Sequence, residues 1–175
     1  IYNQKVITKK TIRERANLGI VYLPQEPSIF RNLTVLDNIK SAFEVQKLDQ
    51  RELSSRTEEI IEYFDIGSIT SQKGSELSGG QRRRVEIARS IALNPKFIML
   101  DEPFAGIDPI AILELKNLIK KLSNKGLGIL ISDHNVKATM DICSEIFIIS
   151  EGSIISRGTP NEVSNNEIVK KTYLG

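Results

Sequence analysis

Two carboxylates close the apolar run Phe97–Ile98–Met99–Leu100: Asp101 and Glu102. Neighbouring side chains on a strand face opposite ways, so the two acids need not share a task. One can hold a magnesium ion, largely through water. The other can take a proton from a water attacking a phosphoryl group. A solvated strand end also carries acids, so this pair does not decide the matter alone. Upstream, Leu77-Ser78-Gly79-Gly80-Gln81 stands at a helix start. There the Ser78 hydroxyl and the amides near Gly79 and Gly80 form an anion site at the positive end of the helix dipole. Glycines let a phosphate approach the backbone, although a simple serine cap has the same pattern. His134, the single histidine, follows an apolar run and can hydrogen-bond a phosphate oxygen or a water. Gln25, just after Val21–Pro24, is either a loop glutamine or a polar ligand for magnesium and water. Phosphate and metal chemistry is thus suggested, yet the chain contains no Gly-x-x-x-x-Gly-Lys-Ser/Thr loop and no Gly-Lys dipeptide.

The elements that must position these residues alternate between strand and helix. Gly19–Pro24 reads as a short buried strand ended by proline. Thr34–Lys47 reads as a helix capped by Thr34 with Asp37 behind it, and Ser54–Gly67 as a second helix stopped by Gly67. Ser68–Glu76 is a polar loop. The helix from Ser78 to Pro95 has an apolar face of Val85, Ala88, Ile91 and Ala92, with Arg82, Arg83 and Glu86 off it. Lys96–Leu100 is apolar throughout, as expected of a strand covered on both faces. Ile110–Lys125 is helical, Leu127–Ser132 a strand, Asn135–Cys143 helical and Glu145–Ser150 a strand. Gly152–Gly158 returns as an edge strand, Thr159–Val163 has the order of a helix start, and a final helix runs from Asn166 to Tyr173. The pattern predicts an α/β domain with a largely parallel sheet, interrupted by a helical insertion over Thr34–Glu76.

The bulk numbers are those of an ordinary globular chain: 175 residues, 40% hydrophobic and 26% charged. A net charge of +2 with scattered basic residues argues against a nucleic-acid partner. One cysteine, Cys143, excludes a disulfide framework and a cysteine metal cluster. No apolar run approaches the ~18 residues of a membrane span. The chain opens on Ile1, and Ile1–Ile7 reads as the middle of a longer sequence.

The order of the motifs — Gln25 after a strand, a helical insertion, Leu-Ser-Gly-Gly-Gln, a strand ending Asp-Glu, Gly-x-Asp, a strand ending in histidine — resembles the ATPase domain of ABC transporters. The resemblance covers essentially the whole chain. It implies a P-loop NTPase-like α/β core with an inserted α-helical subdomain: residues 1–25 and 95–175 belong to the core, and 26–94 to the helical subdomain and signature helix. The matching positions are the Q-loop (Gln25), the signature motif (Leu77, Ser78, Gly79, Gly80, Gln81), Walker B (Phe97–Glu102), the D-loop (Ala105–Asp108) and the switch histidine (His134). The implied roles are Glu102 as general base, Asp101 and Gln25 toward Mg2+, His134 on the γ-phosphate and Asp108 coupling two protomers. In such proteins two domains pair head to tail, and the signature motif serves ATP held by the other copy. The Walker A loop and the preceding adenine-stacking aromatic are absent. The expectation is that they, with the N-terminal strands, belong to a missing N-terminal part, and that the 175 residues alone lack ATPase activity. A groove beside the Q-loop, with Phe30, Arg31 and Leu33, is the expected seat of two transmembrane permease subunits.

More specifically, "GIVYLPQEPSIFRNLTVLDNI", "RRRVEIAR", "LDEPFAGIDPIAI", "SDHNV", "GTPNEV" and "VKKTYLG" resemble the ATPases of lipopolysaccharide export transporters. That likeness implies a homodimer at the cytoplasmic face of a bacterial inner membrane. The rivals are the ATPases of branched-chain amino acid importers and a soluble ABC-type interaction protein without its own phosphate loop.

Overall fold

The computed structural model describes residues 1–2 and 4–171. It divides into two compact units, Ile1–Ser132 and Asp133–Gly175.

In the larger unit, β1 (Ile20–Leu23), β2 (Phe97–Asp101) and β3 (Gly128–Ser132) form a parallel sheet in that order. The register aligns Leu23, Leu100 and Ile131 in one row and Tyr22, Met99 and Leu130 in the next. The first row faces the core: Leu23 and Leu100 are each 2% exposed, as Ile98 is at 1%. The second row is open at its two flanks, with Tyr22 55% and Leu130 49% exposed. On β2 itself Phe97 and Met99 are half-buried between them, so the exposure lies on the flanking strands, whose expected burial is corrected at Tyr22 and Leu130.

A short helix α1 (Ile12–Asn17) leads into β1, its start closed by reciprocal bonds between Thr11 and Glu14. Between β1 and β2 lie α2 (Val35–Phe43), α3 (Gln50–Tyr63) and α4 (Gly79–Ala92), which pack on one another; α2 and α3 fall within the expected helical insertion over Thr34–Glu76. Thr34 caps α2 by accepting the Asp37 amide at 3.0 Å. This helix ends at Phe43, earlier than the sequence pattern suggested, because a tight turn over Glu44–Gln46 leads to Lys47 at φ +51°. The next helix starts earlier than Ser54, since Asp49 accepts the Glu52 amide at 2.9 Å and caps Gln50 onward. It also stops before Gly67: Asp65, at φ +49°, takes the left-handed position that a glycine was expected to fill. On α4 the sequence pattern placed Arg83 and Glu86 off the apolar face, yet they are 5% and 2% exposed. The helix α5 (Pro109–Asn124) follows β2 and packs against α4.

The smaller unit contains α6 (Val136–Met140), the antiparallel pair β4 (Ile146–Ser150) and β5 (Ser153–Gly158), α7 (Pro160–Ser164) and α8 (Glu167–Val169). Its core is Ile146, Ile148, Val163 and Val169, with Met140, Cys143 and Ile155 packed against it. The far end of the expected last helix, at Tyr173, lies outside the described residues. Among the described residues no helix is long and apolar enough to cross a membrane.

Candidate functional site

The strand β2 delivers Asp101 to the carboxyl end of the sheet, where open α/β folds place ligands. Asp101 is in register with Ser132 on β3. Its Oδ1 accepts the Ser132 hydroxyl at 2.6 Å, and its Oδ2 accepts the Tyr22 hydroxyl at 2.9 Å. These bonds favour the charged form: first Ser132 and then Tyr22 hold the Asp101 carboxyl below its ordinary range. The same contact with the carboxylate pushes the Tyr22 phenol up.

Glu102 leaves the strand with φ +41°, a left-handed backbone that non-glycine residues rarely adopt. Two backbone bonds hold it there. Its amide donates to the Ser132 carbonyl at 2.7 Å, and its carbonyl accepts from Ala105 at 3.2 Å. The Gln25 side-chain amide donates to Glu102 Oε2 at 2.8 Å. Gln25 and Glu102 share a small cleft of about 40 Å³ with Pro27, Gly79, Arg83 and Ile107, room for about one water.

Gly79 opens α4 beside this cleft. Ser78 is its cap: the Ser78 oxygen accepts the Gln81 amide at 3.3 Å, and the Gln81 side chain accepts the Ser78 amide at 3.0 Å. As the acceptor there, the hydroxyl retains a proton to offer a phosphate oxygen. The glycine pair also has a packing reason. A Cβ on Gly80 would lie 2.5 Å from the Ala111 Cβ, and one on Gly79 would lie 3.0 Å from the Gly106 carbonyl oxygen. Asp108 caps α5, accepting the amides of Ile110 and Ala111 at 3.1 and 3.0 Å.

Sequence reasoning missed the side chains that tie α4 to the glutamine loop. Arg83 donates to the Pro24 carbonyl at 2.8 Å, to the Asp101 carbonyl at 2.7 Å and to Glu86 at 3.3 Å. Glu86 accepts the amides of Ser28 at 2.8 Å and Ile29 at 3.2 Å. Arg89 reaches the Ser28 carbonyl and lies over the Phe30 ring. Asn38, fully buried, pairs with both backbone groups of Phe30 at 2.9 and 3.0 Å. No sequence signal separated these charges from surface ones.

The larger unit thus brings together Gln25, Gly79, Asp101 and Glu102. His134 lies in the smaller unit, ahead of α6, with Nδ1 4.0 Å from Asp133. Phe30 and Leu33 are 52% and 39% exposed, and Arg31 is exposed. Leu33 borders a hollow of about 420 Å³ with Asp37, Lys40 and Phe43. Among the described residues no three His, Cys, Asp or Glu side chains form a metal cage. A single ionised carboxylate fits a magnesium ion that keeps most of its ligands as water and phosphate.

The ABC transporter family pattern matches residues 1–105. The chain is 52% identical over 165 residues to the lipopolysaccharide export system ATP-binding protein LptB of Haemophilus influenzae, covering 94% of this chain and 68% of that protein. It is 45% identical to the LptB of Acidithiobacillus ferridurans, covering 98% and 71%. The fold superposes on CbiO1 of Clostridium perfringens, part of an ABC transporter complex, with a TM-score of 0.85 at 27% identity, covering 99% and 71%. An ATP-binding cassette of an ABC transporter in its ADP conformation gives 0.82 at 28% identity, covering 98% and 74%. With the motifs in one chain order, two of them meeting at one sheet end, this protein belongs to the ABC transporter family as an ATP-binding, ATP-hydrolysing component.

Proposed function

We propose that this chain powers the export of lipopolysaccharide from a bacterial inner membrane. The observation that carries this reading is 45–52% identity, over nearly the whole chain, to LptB proteins. In this reading Glu102 is the general base. Its carboxylate takes a proton from the water that attacks the γ-phosphorus, while the bond from that phosphorus to the ADP oxygen breaks. The Gln25 amide keeps Glu102 in place beside the cleft that holds the water. Asp101 and the Gln25 side-chain oxygen would hold Mg2+, which would supply positive charge against the phosphates. His134 donates to the γ-phosphate. Leu77, Ser78, Gly79, Gly80 and Gln81 serve the nucleotide of a second copy in a head-to-tail homodimer, and Asp108 couples the two. Two transmembrane permease subunits dock at Phe30, Arg31 and Leu33. The protein works at the cytoplasmic face of the membrane, bound to it only through those subunits. Depletion in the source bacterium tests the cargo: lipopolysaccharide should accumulate in the inner-membrane fraction. An unchanged distribution between membranes overturns this reading.

A further inference from the structure

We propose that Tyr22 is a positioning residue for the metal-facing carboxylate of Asp101, a task it shares with Ser132. This rests on the reading of Asp101 as the side chain that faces Mg2+. The register pairs Tyr22 with Met99 and Asp101 with Ser132, so Tyr22, Asp101 and Ser132 share one sheet face. Ser132 stands directly across from Asp101, and its short hydroxyl suffices. Tyr22 is a diagonal neighbour, one strand across and two residues back. Strand spacing and rise put such Cα atoms about 8 Å apart. A serine or threonine at position 22 falls short of that span, and a phenylalanine carries no donor. The phenol spans it, reaching Asp101 Oδ2 at 2.9 Å while Ser132 holds Oδ1 at 2.6 Å.

Two donors on two different oxygens fix the carboxylate's rotation. Each oxygen keeps a second lone-pair direction for a cation or the waters around it. Tyr22 is 55% exposed among the described residues, and it is the one polar side chain in a strand whose other members are Ile20, Val21 and Leu23. Such outer partners of a metal ligand set its orientation, and losing one weakens metal binding by about 10- to 100-fold.

The test uses the full-length protein and Tyr22→Phe, which removes only the hydroxyl. The Mg2+ concentration that half-saturates ATP hydrolysis should rise about tenfold. Binding of Mn2+ in the presence of ATP, followed by electron paramagnetic resonance, should weaken by a similar factor. ATP affinity in excess EDTA and the thermal midpoint without nucleotide should stay at the parental values. Ser132→Ala, at the other oxygen, should weaken Mn2+ binding in the same way. Parental metal affinity in folded Tyr22→Phe overturns the proposal, as does an equal loss of ATP affinity in EDTA, which marks a role in nucleotide binding instead. Asp101→Asn separates the levels. If it abolishes metal-dependent binding while Tyr22→Phe has no effect, only the positioning role falls. If it leaves metal dependence intact, the assignment of Asp101 falls with it.

Discussion

Glu102 combines a left-handed backbone with a side chain held by Gln25, two constraints that fix where its carboxylate points. A strained φ of this kind costs on the order of 1–3 kcal/mol and persists where surrounding bonds over-determine it, as the short bond to the Ser132 carbonyl does here. Glu102→Gln keeps shape and strain but cannot accept a proton. In the full-length protein it should retain ATP affinity while turnover falls about 10²–10⁴-fold, measured by nucleotide titration and phosphate release. Turnover near the parental rate removes Glu102 from the role of base. The residues with a motif behind them were legible because their types name a chemistry: acids at a strand end, glycines at a helix start. Tyr22 was not. An aromatic in an apolar strand reads as core, and its partner is set by register between strands distant in sequence, which local pattern does not encode.

The helix α4 shows why an element can be found and its role still missed. Its period, its Ser78 cap and its end near Pro95 were readable. Its buried charges were not, because a helical pattern treats Arg83 and Glu86 as solvated. The pair is tolerated inside because nearly every bond it makes goes to a backbone group that would otherwise be unsatisfied: Pro24, Ser28, Ile29 and Asp101. The loop carrying Gln25 is thereby pinned to the helix that presents the signature motif. Glu86→Ala strips the counter-charge from Arg83 and the acceptor from two amides. It should destabilise the protein by about 3–5 kcal/mol, read from urea unfolding, and raise the exchange rate of the Ser28 and Ile29 amides. A loss under about 1 kcal/mol, the usual worth of an exposed pair, contradicts this role. The helix ends differ from expectation for a related reason. Asp49 and Asp65 supply cap and left-handed stop, and aspartate fills both positions well enough that glycine punctuation alone misplaces the boundaries.

At the scale of the whole chain, alternating strands and helices were enough to foresee a parallel α/β sheet, but not the exposure of Tyr22 and Leu130 on its flanking strands. Nor did they show that the last stretch, Asp133–Gly175, forms a compact unit around its own core. That unit carries an internal reporter. Cys143 packs against the buried cluster of Ile146, Ile148, Val163 and Val169, and burial pushes its thiol up from the ordinary 9.0. The fold therefore favours the protonated thiol. Stability from this group is fully present below the unfolded pKa and declines as pH rises above about 9, where the unfolded chain ionises first. Only the thiolate reacts with alkylating reagents, so Cys143 should label more slowly at pH 8 than the same thiol in urea. Val163 is fully buried, and Val163→Ala removes two methyl groups from the centre of this core, at a cost of about 2 kcal/mol. If labelling proceeds through opening of the unit, its rate follows the opening equilibrium, and the variant should label about 30-fold faster. Equal rates for parent and variant would place Cys143 within reach of reagent without opening, and the core around it would then not be what protects it.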